Sequence, residues 1–200
     1  MKNMANILLL INLLTLLASC KTPVNDSYHA TDRQIFTQTI HMNDLDVDLI
    51  MQKPDQEDVD VLLVFHGTVV YDDRIHKAAT RNLHAFAYIL EHDNIMIISV
   101  AYPEENLLIG DSMPFAEAAL LWVNHEAAHT LNVNINQIFL AGHSQGAYIV
   151  TRLNTLYQTA GVIANAPRPL NLGFRCELEV ENKVSTSVAC TLMQAHYGSP

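Results

Sequence analysis

The chain has 200 residues, half of them hydrophobic, and a formal net charge of −10. That length carries one domain with a sizeable core and is short for two. The acidic balance speaks against a nucleic-acid partner, which needs clustered Lys and Arg, and leaves the fold open.

Residues 1–20 read as a targeting segment. Lys2 gives it a positive start. Ile7 to Leu17 is an apolar run interrupted only by Asn12 and Thr15, short for a membrane-spanning helix. Leu17-Ala18-Ser19-Cys20 resembles the lipobox of bacterial lipoproteins. That resemblance implies cleavage before Cys20, diacylation of Cys20, and a protein anchored through lipid to a membrane of the bacterial cell envelope, facing the periplasm or the exterior. An ordinary cleaved secretory signal and an uncleaved anchor are the other readings of these residues. Residues 21–33 form a polar linker, and one domain is expected over 34–200.

Two strands come first, Gln34 to Met42 and Leu45 to Gln52, joined by a hairpin turn at Asn43-Asp44. Alternation of Leu45, Val47, Leu49 and Met51 predicts a half-buried antiparallel edge. Val59 to Phe65 is a near-continuous apolar run, the pattern of a strand buried on both faces. His66-Gly67-Thr68 ends it, and Asp72, Asp73 and Arg74 lie in the next loop. A helix is expected over Arg74 to Glu91 and a buried strand over Asn94 to Ala101. The spacing of Ala116, Ala119, Leu120, Val123 and Ala127 predicts an amphipathic helix from about Pro114 to Leu131. A last strand is expected at Gly161 to Ala166, stopped by Pro167 and Pro169. Strands alternating with helices predict an α/β fold with a mostly parallel central sheet flanked by helices.

Two side-chain patterns admit competing readings. His125-Glu126-Ala127-Ala128-His129 matches the H-E-x-x-H of zinc peptidases, in which one helix face carries two ligands and a base. No third ligand motif follows, so a solvated helix face is the reading kept and no metal is expected. Cys176 and Cys190 are the pair remaining after Cys20, and in an exported protein they could close a disulfide around Glu177 to Ala189. Two reduced thiols, one in a strand core, is the other reading.

Ile138 to Tyr148 holds the strongest chemical pattern. Ile138, Phe139, Leu140 and Ala141 are a short apolar run, and Ala147, Ile149, Val150 and Leu153 then recur at helical spacing, predicting a helix to about Thr159. Between them, Gly142-His143-Ser144-Gln145-Gly146 fits the G-x-S-x-G nucleophile elbow. A strand that turns at once into a helix passes close to itself two residues either side of the turn. Gly142 and Gly146 stand at those positions. The turn would lift the Ser144 hydroxyl above the sheet, with the helix N-terminus aimed at the same point.

Four segments in order resemble the α/β-hydrolase superfamily: Val64 to Thr68, the helix containing Ala118 to Val123, Asn136 to Gly146, and Ala164 to Pro167. The resemblance covers residue 34 to the C-terminus and is closest to its prolyl-oligopeptidase-like, dienelactone-hydrolase-like and small esterase members. It implies that the N–H groups of Thr68 and Gln145 form an oxyanion hole beside a Ser144 nucleophile, with His66 structural. The substrate would be a small acyl compound, with no cofactor.

The family order is Ser, then Asp or Glu, then His. After Ser144 the acids are Glu177, Glu179 and Glu181, and the one histidine is His196. A glutamate–His196 pair fits the order, although those glutamates lie in the segment that the cysteines would close. In the second reading, Val188 to Ala195 resembles the penultimate parallel strand and His196 to Pro200 the loop after it. The acid and base would then come after Pro200, with the last strands of the fold missing here. Two functions follow: a serine hydrolase acting through a Ser144 acyl-enzyme, or a non-catalytic envelope protein of the same fold.

Overall fold

A computed structural model of the chain describes residues 33–69, 74–90, 94–104, 107, 109–166, 172–187, 190–191 and 194–195. Cys20, Asp72, Asp73, Pro167, Pro169 and His196 to Pro200 lie outside the described residues. No described helix is long and apolar enough to cross a membrane.

Six strands form one sheet in the order β1-β2-β4-β3-β5-β6. β1 (Ile35–Met42) and β2 (Leu45–Gln52) make an antiparallel hairpin. Asn43 and Asp44 have φ of 54° and 60°. Both central residues of a two-residue type I′ turn need positive φ, and Asn and Asp tolerate it. β2 is not the expected edge. It also pairs antiparallel with β4 (Ile95–Ala101), so the edge is β1. The alternation of Leu45 to Met51 marks one covered face, but Ile50 on the other face is buried too. β4, β3 (Asp58–Phe65), β5 (Asn134–His143) and β6 (Gly161–Asn165) run parallel.

The continuous apolar run of β3 has a direct cause. Its residues alternate between two cores. Val61, Leu63 and Phe65 pack with Met96, Ile98 and Val100 of β4 under the helices α2 (Ile109–His125) and α4 (Gln145–Leu156). Leu62 and Val64 face the other side, against α1 (Ile75–Ile89), which offers Ile75, Ala79, Leu83 and Ala87 at four-residue spacing. α1 and α2 therefore cover opposite faces. The chain steps from β3 to β4 on one side, then crosses back to β5 on the other side of β3. The connections leaving β3 and β5 part to opposite faces, which makes the carboxyl ends of this pair the topological switch point of the sheet.

Three expectations are corrected. The helix over Pro114 to Leu131 starts earlier, at Ile109, and is broken at Glu126, whose backbone leaves the helical region; a short α3 (Ala127–Leu131) follows. The elbow helix stops at Leu156, where Tyr157 turns extended, rather than at Thr159. The strand expected over Val188 to Ala195 is not found at its described residues. Residues 190–191 and 194–195 are helical. Ser187 explains why: its hydroxyl accepts from the N–H of Cys190 at 3.4 Å and its carbonyl from that of Thr191 at 3.1 Å, so it starts a helical turn.

Cys176 and Cys190 are joined as a disulfide, with Cα atoms 5.3 Å apart. Cys176 lies on α5 (Leu172–Val180), so the segment they close begins as helix, as far as Val180, rather than as a polar loop. Inside it, the buried Glu179 accepts from Arg175 at 3.0 Å and from the N–H of Ser187 at 2.9 Å. Burial would push the Glu179 carboxyl up, but the Ser187 and Arg175 hydrogen bonds outweigh it and hold the carboxyl below its usual range. With a sequence separation of 14, the cross-link removes loop freedom from the unfolded chain. The variant Cys190→Ser is expected to lose about 3 kcal/mol of unfolding free energy in urea titrations. No loss would mean that the cross-link constrains nothing.

Candidate active site

All four parallel strands point their carboxyl ends to one edge of the sheet. There, β3 delivers His66-Gly67-Thr68, β4 delivers Tyr102, β5 delivers Ser144, and β6 ends at Asn165. Ser144 stands between β5 and α4 with φ 55° and ψ −112°. That region costs a non-glycine residue of order 1–3 kcal/mol and persists only where packing over-determines it. The packing is visible at the two glycines. A Cβ on Gly142 would lie 2.2 Å from the carbonyl of Gly146, and one on Gly146 would lie 2.1 Å from that of Phe65. No side chain fits either position. The N–H of Ser144 donates to the carbonyl of Asn165 at 3.0 Å, which extends the β5–β6 ladder through the turn.

Ser144 occupies the N-cap of α4, yet its side chain makes no capping hydrogen bond. A capping serine usually spends its hydroxyl on the N–H groups of the first turn. Here the residue is half-buried and its hydroxyl is not spent as a cap. The N–H groups of Gln145 and Gly146 precede the first helical bonds of α4, which run from Ala147 and Tyr148 to the Ser144 carbonyl, and they lie at its positive dipole end.

The second turn lies directly beside the first. A Cβ on Gly67 would come within 3.2 Å of Ser144 Cβ, so glycine lets the β3 turn press against the serine. His66 braces this turn. Its Nδ1 lies 2.7 Å from the carbonyl of Gly67, and because a carbonyl only accepts, Nδ1 carries the proton. Nε2 is then an acceptor, buried and without a protein partner among the described residues. The Tyr102 ring packs tilted against the His66 ring, with centroids 4.2 Å apart, and its hydroxyl donates to the His66 carbonyl at 3.0 Å. Burial lowers the His66 pKa to about 4, partly opposed by the Gly67 hydrogen bond. Burial pushes the Tyr102 phenol up. Both stay neutral near pH 7. His66 is a brace for the turn, which agrees with its expected structural role.

Thr68 and Gln145 meet through their side chains, a contact that motif reading misses. The Thr68 hydroxyl donates to Gln145 Oε1 at 2.7 Å. Gln145 Nε2 donates to Ser112 Oγ at 2.8 Å and to the Leu107 carbonyl at 3.1 Å. No pattern in the sequence signals this, because the residue after the serine is read for its backbone N–H alone.

The other candidates fall elsewhere. His125 ends α2 and His129 lies in α3, so the H-E-A-A-H residues do not share one helix face; all three polar members are exposed. Glu179 is engaged by Arg175 and Ser187, and Glu181 pairs with Lys183 at 2.7 Å on the surface. His196 lies outside the described residues. A cavity of about 500 Å³ opens at the same sheet edge beyond Tyr102, lined by Asp46, Asp48, Ile75, His76, Ala101 and Pro103. It contains neither Ser144 nor Thr68, so it neighbours the elbow without forming its site.

No family model and no curated protein matches the chain in sequence. Solved structures do match in fold. Carboxyl esterase 2 of the mycorrhizal fungus Tuber melanosporum aligns over 67% of this chain and 43% of its own, at 18% identity and a TM-score of 0.51. Est1E from Butyrivibrio proteoclasticus aligns over 70% of this chain and 54% of its own, at 13% identity and a TM-score of 0.55. The chain thus spans about half the length of these structures, and it has the α/β-hydrolase fold that they have.

The His66 brace has a pH signature. The folded pKa lies near 4 against 6.5 for the free side chain. Between those values the unfolded chain binds a proton that the folded one does not, so stability falls as pH drops from 6.5 towards 4. The full loss is about 3 kcal/mol at 1.36 kcal/mol per pKa unit. Urea midpoints at pH 7 and pH 4 are expected to differ more in the wild type than in His66→Asn, whose amide does not titrate. Equal differences would mean that His66 does not contribute.

Proposed function

We propose that the protein is a serine hydrolase cleaving a carboxylic ester or a related acyl bond, with Ser144 as nucleophile. The observation that carries the reading is the left-handed Ser144, its hydroxyl unused as a helix cap, pressed against the Gly67-Thr68 turn. The Ser144 oxygen bonds to the acyl carbon, and the carbonyl electrons move onto oxygen. The resulting oxyanion is held by the backbone N–H groups of Thr68 and Gln145. The carbonyl re-forms as the ester C–O bond breaks, and the leaving alcohol takes the serine proton through a general base. Water then releases the acid by the same steps. One oxyanion donor contributes about 2.7–4 kcal/mol to such a transition state. The reading assigns the base, and the acid that orients it, to residues outside those described. Support for an ester as substrate comes from the fold shared with esterases at low identity.

A fluorophosphonate probe and a short-chain nitrophenyl ester test this together. The wild-type chain is expected to take up the probe and hydrolyse the ester, and Ser144→Ala to do neither. Equal labelling of Ser144→Ala would remove Ser144 as nucleophile. A wild type inert to both reagents would favour a non-catalytic envelope protein on the same fold.

We also propose that the protein is lipid-anchored in a bacterial envelope through Cys20. The support is the Leu17-Ala18-Ser19-Cys20 sequence after its apolar run. Radiolabelled fatty acid is expected to enter the wild type and not Cys20→Ala. No incorporation in the wild type would end the anchor reading.

A further inference from the structure

The Gln145 side chain is 99% buried, and every polar atom it carries has a partner. Because the Leu107 carbonyl can only accept, Nε2 must face it, and Oε1 therefore faces Thr68. One amide group thus joins four segments: the turn after β3, the connection after β4, the first part of α2 through Ser112, and the start of α4. An apolar side chain of that size would fill the space without the need to satisfy buried polar atoms. What the amide adds is a fixed spacing between the turn that carries Thr68 and the helix start that carries Gln145.

Building on the serine-hydrolase reading, we infer that the Gln145 side chain is a positioning residue for the oxyanion site. It tethers the Thr68 turn to the elbow and anchors both to α2 through Ser112. Gln145 therefore acts twice: its backbone N–H is one donor, and its amide holds the residue that bears the other. Thr68 has the matching double role, since its hydroxyl fixes the peptide whose N–H points at the oxyanion. Such a clamp is felt where charge develops on the substrate oxygen, so its loss reduces kcat and leaves KM nearly as it was.

The experiment compares Gln145→Met, Thr68→Val, the double variant and Thr68→Ser. Readouts are the rate of Ser144 phosphonylation by a fluorophosphonate, kcat and KM on a nitrophenyl ester, and amide hydrogen exchange of the peptide spanning residues 65–69. Gln145→Met and Thr68→Val are each expected to slow phosphonylation and kcat about tenfold, less than outright loss of a donor. KM should change little. The double variant is expected to be no slower than the slower single one, because both remove the same tether. Thr68→Ser, which keeps the hydroxyl, should recover most of the rate lost in Thr68→Val. Exchange of the 65–69 peptide should quicken in Gln145→Met and Thr68→Val while the central strands stay protected. Unchanged rates in both single variants, with Ser144 still labelled, would overturn the clamp. So would losses that multiply in the double variant. If the wild type is not labelled at all, the nucleophile reading fails instead. The exchange measurement then decides the clamp by itself, and unchanged exchange refutes it.

Discussion

The close crossing of Gly146 over the carbonyl of Phe65 is the constraint on which the site depends. α4 can start directly above the end of β3 because neither Gly142 nor Gly146 has a side chain. Ser144 is then held at φ 55° in a conformation that the packed helix and strands impose on it. The crossing lies at the carboxyl ends of the paired strands β3 and β5, where their connections diverge to opposite faces. A Cβ at Gly146 would therefore disturb more than one turn. It would push α4 off the sheet and separate Ser144 from Gly67.

Around that crossing, the polar groups divide by role. His66 and Tyr102 are buried, neutral braces that hold the β3 turn from the β4 side. Gln145 and Ser112 hold it from the α2 side. The Ser144 hydroxyl does not take part in this bracing as a helix cap. Near the C-terminus, Glu179 serves the disulfide-closed segment through Arg175 and Ser187, so its carboxylate has structural work already.

The parts of the fold legible in the sequence were those where burial writes a period. β3 and β4 read as continuous apolar runs because helices cover both faces. Asn43-Asp44 was legible because few residues tolerate two positive φ values in succession. The Ser144 turn was legible because sterics demand glycine at two fixed positions. The break at Glu126 was not, since the apolar spacing of α2 continues into Ala127 across it. The segment after Cys176 was misread because Val and Thr near its end suit a strand. Ser187 instead starts a helical turn at Cys190 and Thr191, which strand propensity does not report. The edge at β2 was misplaced because alternation reports one covered face and is silent about the neighbour on each side. The Gln145 clamp could not be read at all, because its partners Thr68, Leu107 and Ser112 come from three other segments.

The central claim is that the Ser144 elbow and the Gly67-Thr68 turn form one oxyanion site. A crystal structure of the phosphonylated protein tests it most directly. The account predicts a phosphorus bonded to the Ser144 oxygen, with the phosphoryl oxygen about 2.7–3.1 Å from the backbone nitrogens of both Thr68 and Gln145. A phosphoryl oxygen turned to solvent, or an adduct on any other residue, would contradict it.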